Sequence, residues 1–325
     1  METEILQGNS PKALKRAVAY LAEGTPIAFP TETVYGLGAD AKNPAAISRI
    51  FSIKGRPANN PLIVHCLDQA MAQSCVLGWD ERCESLARQF WPGPLTLILN
   101  RHSSDPPTVA GGGETLAVRV PAHIVARALL AHFEAPIAAP SANLSTRVSP
   151  TSAKHVLKTL EGKIPLILDG GPCQVGLETT VLDMTSDQPT ILRLGDVSEE
   201  MISQCLGLTV QTRSFDEQAP KSPGMMRRHY APKTPIRFCR RPDELPKADF
   251  ALLYFEPNWD AKKGINPSLR LPDDPKGYGR ELYRALHWAD EQNQSEIIIQ
   301  ETPDNKGWAA VRDRLSRSVS DPTEQ

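Results

Sequence analysis

Along residues 1–212 the apolar positions switch repeatedly between short runs and helical spacing, the mark of alternating strands and helices. Leu14, Val18 and Leu21 repeat at helical spacing behind Ser10-Pro11, an N-cap followed by proline at the first helical position. Residues 26–29 predict a short buried strand, and Asn43-Pro44 opens a second helix bearing Ile47, Ile50 and Phe51. Asp80 caps a helix with Cys83, Leu86, Ala87 and Phe90 on one face. Strands are predicted at 62–64, 95–99, 116–120, 136–139, 164–168, 180–182 and 191–194. Helices are predicted at 124–130, after the cap pair Ser149-Pro150, and at 199–205. Several strands follow one another with no helix between them, so the sheet is mixed rather than purely parallel.

Residues 213–234 lose all period and fill with proline, arginine and lysine, which reads as a linker. Beyond it come strands at 236–239 and 250–255, a Pro/Asp/Gly-rich loop at 256–275, a helix at 280–290, a strand at 296–300 and a last helix at 309–318. The chain therefore divides into 1–212, a 213–234 linker and a 235–325 α/β module. Proline makes up 29 of the 325 residues, well above the typical ~5%, as many short connected elements require. No run reaches the ~18–20 apolar residues of a membrane span, and residues 1–11 are polar with no signal-peptide pattern. The six cysteines include no C-x-x-C pair, so a zinc site is not expected and the thiols fit a reducing cytoplasm. Net charge is −2, and residues 1–212 hold 17 basic against 20 acidic side chains. That balance argues against general attraction to nucleic acid.

Candidate chemistry gathers at strand ends. Gly36-Leu-Gly38-Ala-Asp-Ala41 matches the spacing of a dinucleotide fingerprint, but residues 31–35 separate it from the preceding strand and no acid follows at the required distance. Those glycines are expected to let the backbone turn sharply. Residues 30–38 (PTETVYGLG) pack two hydroxyls, a carboxylate and a phenol at a strand end, where open α/β sheets bind ligands. Lys54 and Arg56 flank Gly55 ahead of Asn60 and suit an anion, Lys as a point charge and Arg as a fork. As helix-terminating cations they also have a purely structural reading. His65 ends an apolar strand. Arg119 lies inside another, where its charge needs a partner, met by a carboxylate or phosphate ligand. Ser141, Asn143 and Ser149 lie on a run of small residues ahead of a capped helix, Thr179 and Thr180 at a strand start, and Arg193 at a strand end. No Ser/His/Asp or Cys/His set is recognisable. Hydroxyls, amides and cations suit chemistry by positioning and charge stabilisation.

These segments, taken in order, resemble the long form of the threonylcarbamoyl-AMP synthase family. The residues that carry the likeness are 29–40 (FPTETVYGLGAD), 54–57 (KGRP), 60–65 (NPLIVH), 90–99 (FWPGPLTLIL), 139–143 (APSAN), 168–171 (LDGG) and Leu192-Arg193, with 222–225 (SPGM) and 228–232 (RHYAP) in the linker. The resemblance implies a YrdC-like open twisted mixed α/β sheet around a large concave cavity at 1–212. It also implies a linker lid at 213–234 and a small Rossmann-like domain at 235–325. Its reaction joins ATP, L-threonine and bicarbonate into threonylcarbamoyl-adenylate with release of pyrophosphate and water, for N6-threonylcarbamoyladenosine in tRNA. By position, Lys54, Arg56 and Asn60 hold ATP phosphates, and Thr115, Asn143, Ser149 and Arg193 complete the ATP site. Tyr230 comes from the linker to close over it. Thr33, His65, Arg119, Ser141, Thr179 and Thr180 line the threonine side, Arg119 pairing the carboxylate. Lys54 and Arg56 carry the catalytic charge stabilisation, with Mg2+ held mainly by ATP phosphates rather than by protein ligands. Expected partners are ATP, L-threonine, bicarbonate and a downstream tRNA threonylcarbamoyl-transferase complex, in the cytoplasm and off the membrane, with RNA contact left open. The alternative is an RNA-binding or ribosome-associated module of YrdC type. This chain departs from the family at Thr146, where glycine is usual, at Thr179 (serine), Leu194 (proline), Met226 (lysine) and Arg227 (tyrosine).

Overall fold

A computed structural model of the chain describes residues 2–103, 108–213, 230–247, 249–262 and 267–319. Packing divides it into two units. The first holds Met1–Ser145, Pro150–Gln174 and Glu178–Met226; the second holds Thr146–Ser149, Val175–Leu177 and Arg227–Gln325.

The first unit begins with β1 (Glu4–Gln7), α1 (Pro11–Ala22), β2 (Ile27–Phe29) and β3 (Gly36–Asp40). α2 (Pro44–Lys54), β4 (Ile63–His65), α3 (Gln69–Ser74), β5 (Val76–Leu77) and α4 (Glu81–Phe90) follow. Then come β6 (Leu95–Arg101), β7 (Thr115–Arg119), α5 (Ile124–Phe133), β8 (Ile137–Ala138), α6 (Ala153–Leu160) and β9 (Leu166–Asp169). β10 (Thr180–Asp183), β11 (Thr190–Arg193), α7 (Glu199–Leu206) and β12 (Gln211–Thr212) complete it. Caps start the helices where expected: Ser10 accepts from Ala13 N at 3.2 Å, and Asn43 Oδ1 from Ala45 N and Ala46 N at 3.0 and 3.1 Å. α2 ends at Gly55, whose φ of 61° closes the helix in the left-handed region.

Among the described residues the strands form one 12-stranded sheet in the order β1-β9-β2-β3-β8-β4-β7-β6-β10-β11-β12, with β5 beside β6. Pairing is mixed, parallel for β4 with β7 and antiparallel for β2 with β3 and β6 with β7. Side chains alternate across it with period two. Ile27, Phe29, Ile137, Leu166 and Leu168 pack with α1 and α5 on one face. Ala28, Ala138 and Ile167 face the other, with residues of α2, α4 and α6.

The second unit's elements are β13 (Ile236–Cys239), β14 (Phe250–Tyr254), β15 (Ser268–Arg270), α8 (Pro275–Asp290), β16 (Glu296–Gln300) and α9 (Ala309–Ser318). Its sheet runs β13-β16-β14-β15, every pair parallel, around a core that includes Phe250, Leu252, Trp259 and Ile298. The linker motif at 222–225 and residues Met226, Arg227 and Arg228 lie outside the described residues.

Three expectations change. Gly36 and Gly38 form a strand, not a turn: a Cβ on Gly38 would meet Phe29 Cε1 at 2.6 Å and Ile137 Cγ2 at 2.8 Å, so close sheet packing explains the glycine. The helix after Ser149-Pro150 is capped instead by Ser152, which accepts from His155 N, and starts at Ala153. The Ser149 carbonyl accepts from His287 Nε2 at 3.2 Å, within the second unit. The 256–275 loop contains β15, and α8 starts at Pro275 because Asp274 Oδ1 caps Gly277 N at 2.8 Å. Its two early glycines had hidden that turn. Among the described residues no helix is long and apolar enough to cross a membrane.

Candidate active site

One segment ties the site of the first unit together. Residues 31–36 leave β2 and re-enter the sheet as β3. Thr31 Oγ1 donates to Val34 O at 2.6 Å and accepts from Thr33 N and Val34 N at 3.2 Å, a hydroxyl-closed turn. At the far end of the segment, Tyr35 O accepts from Ala142 N at 2.8 Å, and Gly36 bridges Ser141. Tyr35 OH donates to Gly171 O at 2.7 Å and to Asp169 Oδ1 at 3.2 Å, while Gly170 N donates back to the phenol. Burial pushes that phenol's pKa well up, so it stays a donor.

Lys54 ends α2 and points into the loop that Tyr35 fixes. Nζ donates to Ser141 O at 2.5 Å, to Asn143 O, and to Asn143 Oδ1 at 3.4 Å. Burial and the neighbouring Arg56 push its pKa well below the usual lysine value. Three acceptors nonetheless call for three N–H donors, and only the ammonium has three. Arg56 is turned onto its own loop: Nη2 donates to Asn60 Oδ1 at 2.5 Å and to Pro61 O at 3.1 Å, and Nε to Asn60 O at 3.4 Å. Lys54 is thus held by Ser141 and Asn143, with the Arg56–Asn60 pair beside it, a grouping that puts Ser141 next to the lysine although the sequence reading assigns it to the threonine side.

A second group centres on Arg119, the last residue of β7 and opposite His65 in the parallel register with β4. Its Nη1 donates to Thr33 Oγ1 at 3.1 Å and its Nη2 meets Glu32 Oε2 at 3.4 Å. Glu32 Oε2 also accepts from Ala122 N at 3.0 Å. The charge partner sought in a ligand is therefore supplied by the chain itself. Burial lowers the arginine's pKa, Glu32 opposes that, and nearby Arg193 adds to it. His65 Nδ1 lies 3.2 Å from Ile63 O, and the ring meets Phe29 edge-on at 5.7 Å. Burial, then Arg119, hold its pKa well below 6.5, so the ring is neutral at pH 7.

Arg193 extends this group. Nη2 donates to Thr179 Oγ1 at 2.9 Å and Nε to Thr179 O at 3.0 Å, while Thr179 Oγ1 shares a 2.7 Å hydrogen bond with Thr96 Oγ1. Thr180 is spent differently, its hydroxyl donating to Val197 O at 2.6 Å. Thr115 lies at the other end of β7 from Arg119, opposite Asn100. Ser149 and Tyr230 fall in the second unit, where Tyr230 stacks on Tyr283 at 5.5 Å with Arg314 5.4 Å from its ring centre.

Three residues here were not picked out from sequence. Glu32 stood inside a quoted motif, and the signal for it was Arg119 itself, a buried strand cation in need of an acid. Thr96 was legible as the lone hydroxyl in an apolar strand. Cys173, whose thiol burial pushes up, feels both Glu32 and Arg119 and carried no sequence signal.

Residues 19–195 match a family described as telomere recombination (Sua5/YciO/YrdC), and residues 197–320 match the threonylcarbamoyl-AMP synthase C-terminal domain. The two matches together run along nearly the whole chain in the long-form order. The chain belongs to the threonylcarbamoyl-AMP synthase family. It is 38% identical over 334 residues to the threonylcarbamoyl-AMP synthase of Bacillus subtilis (strain 168), covering 98% of this chain and 95% of that protein. Identity to the Pyrococcus abyssi (strain GE5 / Orsay) threonylcarbamoyl-AMP synthase is 39% over 320 residues, 94% of this chain and 93% of that one. The crystal structure of P. abyssi Sua5 complexed with L-threonine superposes with a TM-score of 0.88 at 34% identity, covering 98% of this chain and 99% of that chain. One departure from the family falls where the backbone favours glycine. Thr146 holds a φ of 68°, the left-handed region that glycine adopts at no steric cost, and its carbonyl accepts from Ala231 N at 2.9 Å.

Proposed function

We propose that the chain condenses ATP, L-threonine and bicarbonate into L-threonylcarbamoyl-adenylate, releasing pyrophosphate and water, and that the product serves N6-threonylcarbamoyladenosine formation in tRNA. The observation that carries this reading is the near full-length likeness to threonylcarbamoyl-AMP synthases. The geometry supports a division of labour.

Lys54, Arg56 and Asn60 take the triphosphate. Lys54 reaches a phosphate oxygen by exchanging one of its three present acceptors, and its depressed pKa rises again beside the anion. Asn143, which holds Lys54, keeps that group in place, and Thr115 and Arg193 serve the nucleotide. Arg119, Thr33 and His65 take the amino acid, the guanidinium facing its carboxylate, and Ser141, Thr179 and Thr180 line the carbamate side. The lysine group is built of cations and amides, so it suits a divalent ion that arrives on ATP phosphates. Mg2+ bound there would offset phosphate charge.

The chemistry follows from positioning. Threonine's amine, once deprotonated, bonds to the bicarbonate carbon, water leaves, and a carbamate forms. A carbamate oxygen then attacks the α-phosphorus, and the bond to the pyrophosphate oxygen breaks. Negative charge builds on the phosphate oxygens, and Lys54 and Arg56 are placed to stabilise it.

The test is an omission experiment on the full chain. Pyrophosphate release from ATP should require both L-threonine and bicarbonate, with a product of threonylcarbamoyl-adenylate mass. Release that is indifferent to either co-substrate would refute the assignment.

A further inference from the structure

Buried polar atoms nearly always find a partner, because each one gives up its hydration on folding. The Glu32–Arg119 pair breaks that rule on both sides. Glu32 is 3% exposed and Arg119 2%. Glu32 Oε2 is fully used, by Arg119 Nη2 and by Ala122 N. Yet Glu32 Oε1 and Arg119 Nε have no hydrogen-bond partner among the described residues.

The two leftover atoms are complementary in kind. One is an acceptor on an anion, the other a donor on a cation, and they belong to a single ion pair. A ligand that satisfies both most strongly carries a cationic donor and an anionic acceptor a few bonds apart, because charge-assisted hydrogen bonds are the stronger kind. An α-amino acid zwitterion has that form. Its own charges cancel, so its arrival leaves the neutrality of the ion pair intact.

We propose that Glu32 recognises the amino end of the amino-acid substrate, with Oε1 accepting an N–H from the α-ammonium group while Arg119 Nε donates to the α-carboxylate. This rests on the reading of Arg119 as the threonine carboxylate site. The role survives the reaction, because the carbamate nitrogen keeps one N–H for Oε1 to accept. Glu32 carries no proton in this scheme. It holds the nitrogen in place and selects for an amine over a hydroxyl at the α-carbon.

The experiment titrates the full chain calorimetrically with L-threonine, with 2,3-dihydroxybutyrate of matching configuration, and with ATP. The dihydroxy acid keeps the carboxylate and the side chain but replaces the ammonium by a hydroxyl, and so loses the positive charge. Wild type should favour threonine by at least about tenfold, as a charge-assisted hydrogen bond implies. Glu32→Gln should weaken threonine by about tenfold or more, leave the dihydroxy acid within about threefold and leave ATP within about twofold. Glu32→Asp, which keeps the charge but shortens its reach, should give an intermediate preference and covers the case of a poorly folded Gln variant. Equal losses for both acids, or none, would mean that Glu32 is only a strut for Arg119 and would overturn the proposal. Wild-type protein that ignores threonine altogether would instead remove the threonine reading itself, and this proposal with it.

Discussion

Lys54 and Arg119 are cations buried to the same 2% exposure, and they are incomplete in opposite ways. Lys54 has an acceptor for each of its three protons, but all three are neutral oxygens. It forms no ion pair among the described residues, and Arg56 beside it adds like charge. Arg119 has its countercharge in Glu32, but the pair leaves one hydrogen-bonding atom on each partner unused. One end of the site lacks negative charge; the other lacks hydrogen bonds. In the function proposed above, ATP would meet the first deficit as a polyanion and threonine the second as a polar ligand with no net charge.

The largest effect expected from this contrast is on stability. Arg119→Met strands the Glu32 carboxylate in the interior and should cost about 3–5 kcal/mol in chemical denaturation. Lys54→Met strands only neutral acceptors and should cost about 1–3 kcal/mol. Adding Glu32→Gln to the arginine variant should restore much of the loss. Equal costs for the two single variants would erase the distinction.

Turnover is the next test. Lys54→Ala or Arg56→Ala should slow threonine-dependent pyrophosphate release by at least ~10²-fold, about 2.7 kcal/mol of lost charge stabilisation. Wild-type turnover in both would detach the lysine group from the phosphates.

His65 sharpens the arginine side. Its folded pKa lies well below the unfolded value of about 6.5, so below that pH the unfolded chain binds a proton that the folded chain refuses. Stability should therefore fall on acidification below about pH 6.5, by up to ~1.4 kcal/mol per pH unit from this group, until the folded pKa is reached. Denaturation midpoints of His65→Asn against pH should show a shallower fall. An unchanged slope would show that the imidazole already titrates freely.

The smallest effect is at Thr146. Relieving a β-branched residue of a φ of 68° should stabilise the protein. Thr146→Gly should gain about 0.5–1 kcal/mol net of the added chain entropy, read as a raised melting temperature. A lowered one would mean that the threonine side chain contributes more than its backbone strain costs.

Much of this was legible in the sequence, and the exceptions share a cause. Cap residues and apolar spacing located α1, α2 and α4, because those signals are local. β3 was missed because Gly38 is fixed by Phe29 and Ile137, neighbours in space and not in sequence. Lys54, Arg56 and Asn60 were visible as one compact stretch, but not their meeting with Ser141 and Asn143, which lie 87 and 89 residues from the lysine. Glu32 was visible but not its duty, since Arg119 is 87 residues away and nothing in either segment says that they meet.

The most direct test of the two-ended site titrates ATP and L-threonine separately into Lys54→Ala and Arg119→Lys. The lysine variant should lose ATP affinity by about tenfold or more and keep threonine, and the arginine variant should do the reverse. If each variant lost both ligands equally, or if the losses were exchanged, the division between a phosphate end and an amino-acid end would be contradicted.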